Sequence, residues 1–98
     1  MAEDAVKIAP DVYKVVLENE RVRVLDTRTR PGGKSEMHGH PEMEGYAVTD
    51  CTWILTSPDG EEARVELKAG ETFFLPATEH RAEDVGTGGS RAMLVELK

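Results

Sequence analysis

Turn chemistry recurs along this chain at short intervals, and it constrains the fold more than any other feature. Pro31-Gly32-Gly33, Pro58-Asp59-Gly60, Ala69-Gly70 and Gly86-Thr87-Gly88-Gly89 each break a short run rich in apolar and β-branched residues. The runs occupy residues 12–18, 21–29, 44–49, 52–57, 63–68, 72–76 and 91–98. Several short runs at this spacing predict strands of an antiparallel sandwich or barrel. Periodicity agrees: Ala63, Val65 and Leu67 fall on one face of an extended chain, and Arg64, Glu66 and Lys68 on the other. Ser57-Pro58-Asp59-Gly60 reads as a hairpin turn. No segment offers a long, capped run of helical period, so a helix bundle is a poor alternative.

At 98 residues the chain has the size of one domain, so one core and one site are expected, with a short N-terminal extension before residue 12. Hydrophobic residues at 39% and charged residues at 32% are ordinary for a globular protein and argue against disorder. The net charge of −7 would repel a polyanion, so no nucleic-acid partner is expected. Arg21, Arg23, Arg28 and Arg30 cluster, but acids intersperse them and they read as a solvated strand face. A membrane span needs about 18 or more consecutive apolar residues, and no such run occurs. Cys51 has no partner for a disulfide, and the first ten residues have neither a basic start nor an apolar core. The cytoplasm is the expected location.

The chain's 3 histidines carry the chemical signal. His38-Gly39-His40 places two imidazoles at i and i+2, on one side of an extended chain. Pro41 biases His40 toward an extended backbone. Glu42 and Glu44 share the same parity, so spacing alone does not choose between them as a companion carboxylate. His80 follows Leu75-Pro76-Ala77 at the end of another predicted strand. Against a metal site stands the plain alternative of a polar surface loop.

These residues resemble the two motifs of the cupin superfamily. Gly32, His38, His40 and Glu44 match the first motif, in which a Glu follows His-x-His after three or four residues, with Cys51 in place of the closing Gly. Gly70, Pro76 and His80 match the second, with Thr78 where a Gly is usual and Asp84 in the Asn position. The match spans about residues 12–97. The resemblance implies an all-β, antiparallel, jelly-roll type β-barrel in a single domain. It also implies that His38, His40, Glu44 and His80 ligate one divalent metal, and it favours Glu44 over Glu42.

Three imidazoles and a carboxylate exclude a preference for calcium and leave Fe, Mn, Co, Ni, Cu and Zn. Four ligands on a six-coordinate ion leave two positions for water, substrate or O₂, whereas a closed tetrahedral zinc would be structural. Two functions follow. One is a metal-dependent oxygenase, isomerase or lyase acting on a small organic molecule. The other is a binding or sensing module that holds a small molecule without turning it over. Polar side chains converging on the open coordination face would favour the enzyme, and a uniformly apolar cavity would weaken it. Tyr46 has the parity of Glu44 and could face the metal. Trp53, Leu55, Phe73 and Phe74 read as barrel filling, Met37 and Met43 as packing beside the ligands, and Cys51 as a small hydrophobe. Arg81, next to His80, is a candidate contact for an anionic substrate. Exposed strand edges, and the family's habit, lead us to expect a homodimer.

Overall fold

The computed structural model describes residues 3–98. A short helix, α1 (Ala5–Ile8), precedes nine strands: β1 (Tyr13–Glu18), β2 (Val22–Thr29), β3 (Lys34–His40), β4 (Met43–Ala47), β5 (Cys51–Thr56), β6 (Glu62–Leu67), β7 (Thr72–Leu75), β8 (Thr78–Asp84) and β9 (Ser90–Leu97). All seven strand pairs are antiparallel. They form a five-stranded sheet in the order β1-β2-β9-β4-β7 and a four-stranded sheet in the order β3-β8-β5-β6. The expected barrel is therefore not closed: no ladder joins one sheet to the other. The two sheets face each other as a sandwich whose core is the set of inward side chains.

The turns act as their composition predicts. Gly60 takes a φ of 89° and its N–H donates to the Ser57 carbonyl at 2.9 Å, closing the β5–β6 hairpin. Apolar alternation sets which face of each strand is buried. On β9, Ala92 and Leu94 are buried beneath the partly covered Arg91, Met93 and Val95. Leu25, Met43, Leu94, Tyr13, Ala5 and Ala9 form one end of the core, so α1 acts as a plug over that end. Trp53, Ala47, Cys51 and Ala92 form the other, with Phe73 packed against both. Among the described residues no helix is long and apolar enough to cross a membrane.

Arg23 departs from the solvated face expected of the arginine cluster. It shares parity with Leu25 and Thr27 on β2, and its guanidinium reaches Asp4 and Glu96. Arg28 does behave as expected: it lies over Asp26 together with Arg91, which grips that carboxylate with two bonds of 3.1 Å. Those two cations, Arg91 first, hold the Asp26 carboxyl down at about 2.

Candidate metal centre

β3 and β8 run side by side with His38 directly opposite His80, and His40 stands two residues along on the same face. Their ring centroids lie 4.8 to 5.3 Å apart. One nitrogen from each of the three imidazoles falls within 4.8 Å of the others, and all three residues are buried. Three neutral nitrogen donors gathered this closely are the kind of set that would hold one divalent ion. His80, expected just beyond a strand, instead sits inside β8. That placement, paired across the sheet, is what points it at the other two.

Hydrogen bonds set the tautomers. His38 Nδ1 lies 2.7 Å from the Glu36 carbonyl oxygen, which can only accept, so Nδ1 carries the proton and Nε2 a lone pair. The buried Tyr13 hydroxyl stands 3.0 Å from that Nε2 and donates to it. His40 Nδ1 donates to Glu96 Oε2 at 2.7 Å, which leaves its Nε2 as an acceptor. That Nε2 is buried and has no partner among the described residues. An orphaned buried lone pair is costly, and a metal ion would satisfy it. The donor set therefore fits a divalent transition metal.

Glu44 does not join the group. β3 belongs to one sheet and β4 to the other, and the chain crosses between them at Pro41 and Glu42. The parity that would carry Glu44 to the face of His40 holds only along one regular strand, and the crossing breaks it. After the crossing Met43, Gly45 and Ala47 turn inward while Glu44 and Tyr46 are exposed. A spacing of four residues after His-x-His would land on Gly45. A Cβ there would stand 2.1 Å from the Phe73 ring, so the room a fourth ligand would need is filled by an aromatic side chain. Tyr46 and Arg81 likewise face away from the imidazoles.

The carboxylate at the centre is Glu96, which the sequence reading missed. Only 2% exposed, it bonds His40 through Oε2 and accepts from Arg23 Nε at 2.8 Å through Oε1. Arg23 continues to Asp4, which also bridges to Gly39 beside the ligands. This chain of carboxylate, guanidinium, carboxylate and imidazole is the arrangement that orients a ligating histidine. Its signal was an acid on the otherwise apolar register of Ala92 and Leu94.

Burial holds His38 down at about 4 and His80 at about 3, so both imidazoles are neutral at pH 7 and ready to bind a metal. Burial pushes the Tyr13 phenol up, keeping it a hydrogen-bond donor. A depressed folded-state value means that the unfolded chain binds protons that the folded chain refuses. Metal-free protein is therefore expected to lose stability as pH falls from about 6.5 toward about 4, by up to ~1.4 kcal/mol per pH unit for each of the two histidines. Urea midpoints measured between pH 7.5 and 5 check this; a flat profile would contradict it.

Two other departures from the motif lie away from the ligands. Asp84, in the Asn position, is fully buried, accepts from Thr29 Oγ1 at 2.6 Å and from the Gly86 N–H at 2.8 Å, and so holds a loop. Cys51, in the Gly position, is buried with Sγ 3.2 Å from the Thr49 carbonyl; burial pushes the thiol up, and it is an unreactive packing group.

The sequence pattern of the cupin domain matches residues 25–96, most of both sheets and every residue of the histidine cluster. The chain belongs to the cupin family. Among solved structures this cupin is similar to a cupin domain from Bordetella pertussis Tohama I, at 24% identity over 100% of this chain and 97% of that one, with a TM-score of 0.80. It is also similar to a double-stranded β-helix protein from Klebsiella pneumoniae, at 22% identity over 88% of this chain and 70% of that one (TM-score 0.68). Oxalate decarboxylase from Bacillus subtilis matches 98% of the cupin chain with 24% of its own length, at 19% identity and a TM-score of 0.62. These likenesses establish the fold. Among curated proteins none matches the chain.

Proposed function

We propose that this cupin holds one divalent transition metal ion through His38, His40 and His80, beside a cavity that receives a small organic molecule. The supporting observation is the unpartnered, buried Nε2 of His40, held in place by Glu96 within reach of two further neutral imidazoles. When bound, the ion would supply Lewis acidity and open positions for a ligand oxygen. The chain itself contributes the fixed tautomers, the dry surroundings and a protonated Tyr13 hydroxyl at the edge of the cluster.

The adjoining cavity is mainly apolar, and among the described residues no carboxylate or lysine lines it to act as acid or base. That weakens the isomerase and lyase readings, which need proton transfer, and favours either the binding of a small molecule or an oxygenase, whose demands fall on the metal. A second copy of the chain is the proposed partner, since both sheets leave edge strands without a ladder partner among the described residues.

Elemental analysis of protein purified without a metal-binding tag tests the centre. About one equivalent per chain is expected, and Glu44→Ala is expected to retain it in full because Glu44 faces outward. A parent that stays empty after reconstitution with Fe(II), Mn(II), Ni(II) and Zn(II) would refute the reading. Light scattering on the same sample reads the dimer, and a monomer at micromolar concentration would rule that pairing out.

A further inference from the structure

The cavity between the sheets has a volume of about 100 Å³ and reaches His40 and His80. Its apolar walls include Met43, Trp53, Phe73, Leu75, Ala82 and Leu94. Among the described residues no lining side chain carries a permanent charge. Arg23, the cation behind the imidazoles, is already committed to Asp4 and Glu96, and Arg81 faces the other way. A charged group entering the cavity would lose its water and find no counter-ion among these walls, a cost of several kcal/mol.

Hydrogen-bonding capacity in the cavity is equally restricted. The Thr29 hydroxyl donates to Asp84 and accepts from Trp53 Nε1 at 3.3 Å. The Tyr13 hydroxyl bonds His38 Nε2 in the metal-free chain, and an ion on that nitrogen leaves it beside the histidine cluster rather than beside Thr27. Thr27 differs: its residue is 5% exposed, it lines the cavity, and its Oγ1 has no partner among the described residues. Sheet positions that bury a threonine hydroxyl without a bond are destabilising, and a ligand oxygen would satisfy this one.

We infer that the cavity selects a compact ligand with an uncharged, apolar body and one oxygen placed to bond the Thr27 hydroxyl. Dicarboxylates and polyols are excluded, the first for want of a counter-ion and the second for want of partners for their hydroxyls. The inference rests on the reading of this site as a small-molecule centre, and it concerns the walls rather than the ion.

Trp53 is the chain's single tryptophan and lines the cavity, so its fluorescence reports occupancy. The full chain, with metal content measured on the same sample, is titrated with cyclohexanol and with succinate. Succinate is charged at both ends, so whichever end meets the imidazoles the other meets apolar wall. Cyclohexanol is expected to give a saturable change and succinate none. Thr27→Val is expected to weaken cyclohexanol about five- to tenfold while melting no lower than the parent. Ala82→Leu fills the cavity and is expected to abolish the response with metal content unchanged. Succinate matching cyclohexanol, no cyclohexanol response in metal-loaded protein, or full affinity in Thr27→Val would each overturn the inference. A cyclohexanol response in protein that stays empty after reconstitution with Fe(II), Mn(II), Ni(II) and Zn(II) would keep it and reject the metal centre instead.

Discussion

Replacing both His38 and His80 by alanine is expected to abolish metal binding while the sandwich remains folded. The two imidazoles face each other across the β3–β8 ladder, so their loss leaves His40 as the sole histidine of the cluster. One imidazole does not hold a divalent ion against competing water at micromolar concentration. The fold survives because the main apolar contacts lie elsewhere, around Leu25, Met43 and Leu94 at one end and Trp53 and Cys51 at the other. The structural cost is the loss of two buried side chains and of the partner of the Tyr13 hydroxyl at 3.0 Å, the last worth about 1 kcal/mol. Two readings distinguish the outcomes. Circular dichroism should retain the β signal, and added metal should raise the melting temperature of the parent only. A ligand at a thousand times its Kd stabilises by about 4 kcal/mol, so the contrast is large. A variant that still binds about one equivalent would place the metal somewhere else.

Glu96→Ala is expected to be the most disruptive single substitution, in stability and in metal affinity together. The carboxylate joins the His40 imidazole to the Arg23 guanidinium, which in turn joins Asp4 ahead of α1. Its removal leaves Arg23, largely covered, with only Asp4 as a partner. Breaking a buried pair from one side costs about 3 kcal/mol. It also releases His40 Nδ1–H from its acceptor, so the proton is free to move to the nitrogen that should face the ion. Loss of such an orienting carboxylate lowers metal affinity about 10- to 100-fold. Glu96→Gln separates the two effects, because its carbonyl oxygen can still accept from Nδ1–H while its neutral amide no longer balances Arg23. It should keep most of the affinity and lose part of the stability. Urea midpoints and competition with a chelator measure the two quantities independently. Parent-like affinity in Glu96→Ala would show that His40 needs no carboxylate to hold its orientation.

Much of this protein was legible before any coordinates. Glycine and proline punctuation marks strand ends because those residues supply or restrict φ locally, and alternation reports the partly covered Val65 and Leu67 because side-chain direction has a period of two, although Ala63 at the strand's start is exposed. The i, i+2 relation of His38 and His40 is local too, so it survives into the site unchanged. What failed was parity carried through a change of sheet. From His40 to Glu44 the chain leaves one sheet and enters the other, and no sequence period crosses such a corner. Only the tertiary structure turns Glu44 outward, sets the Phe73 ring against Gly45 and brings Glu96 across from the last strand to His40. Residues 40 and 96 are adjacent because β2, β9 and β4 pair in that order and the opposing sheet folds over them. Sequence alone therefore determined seven of the nine strands among the described residues and the i, i+2 spacing of two imidazoles, while β3 and β8, the strands that carry the histidines, lay outside the apolar runs. The packing of the two sheets decided which acid stands behind them, because contact between distant strands follows from topology and register rather than from any local pattern.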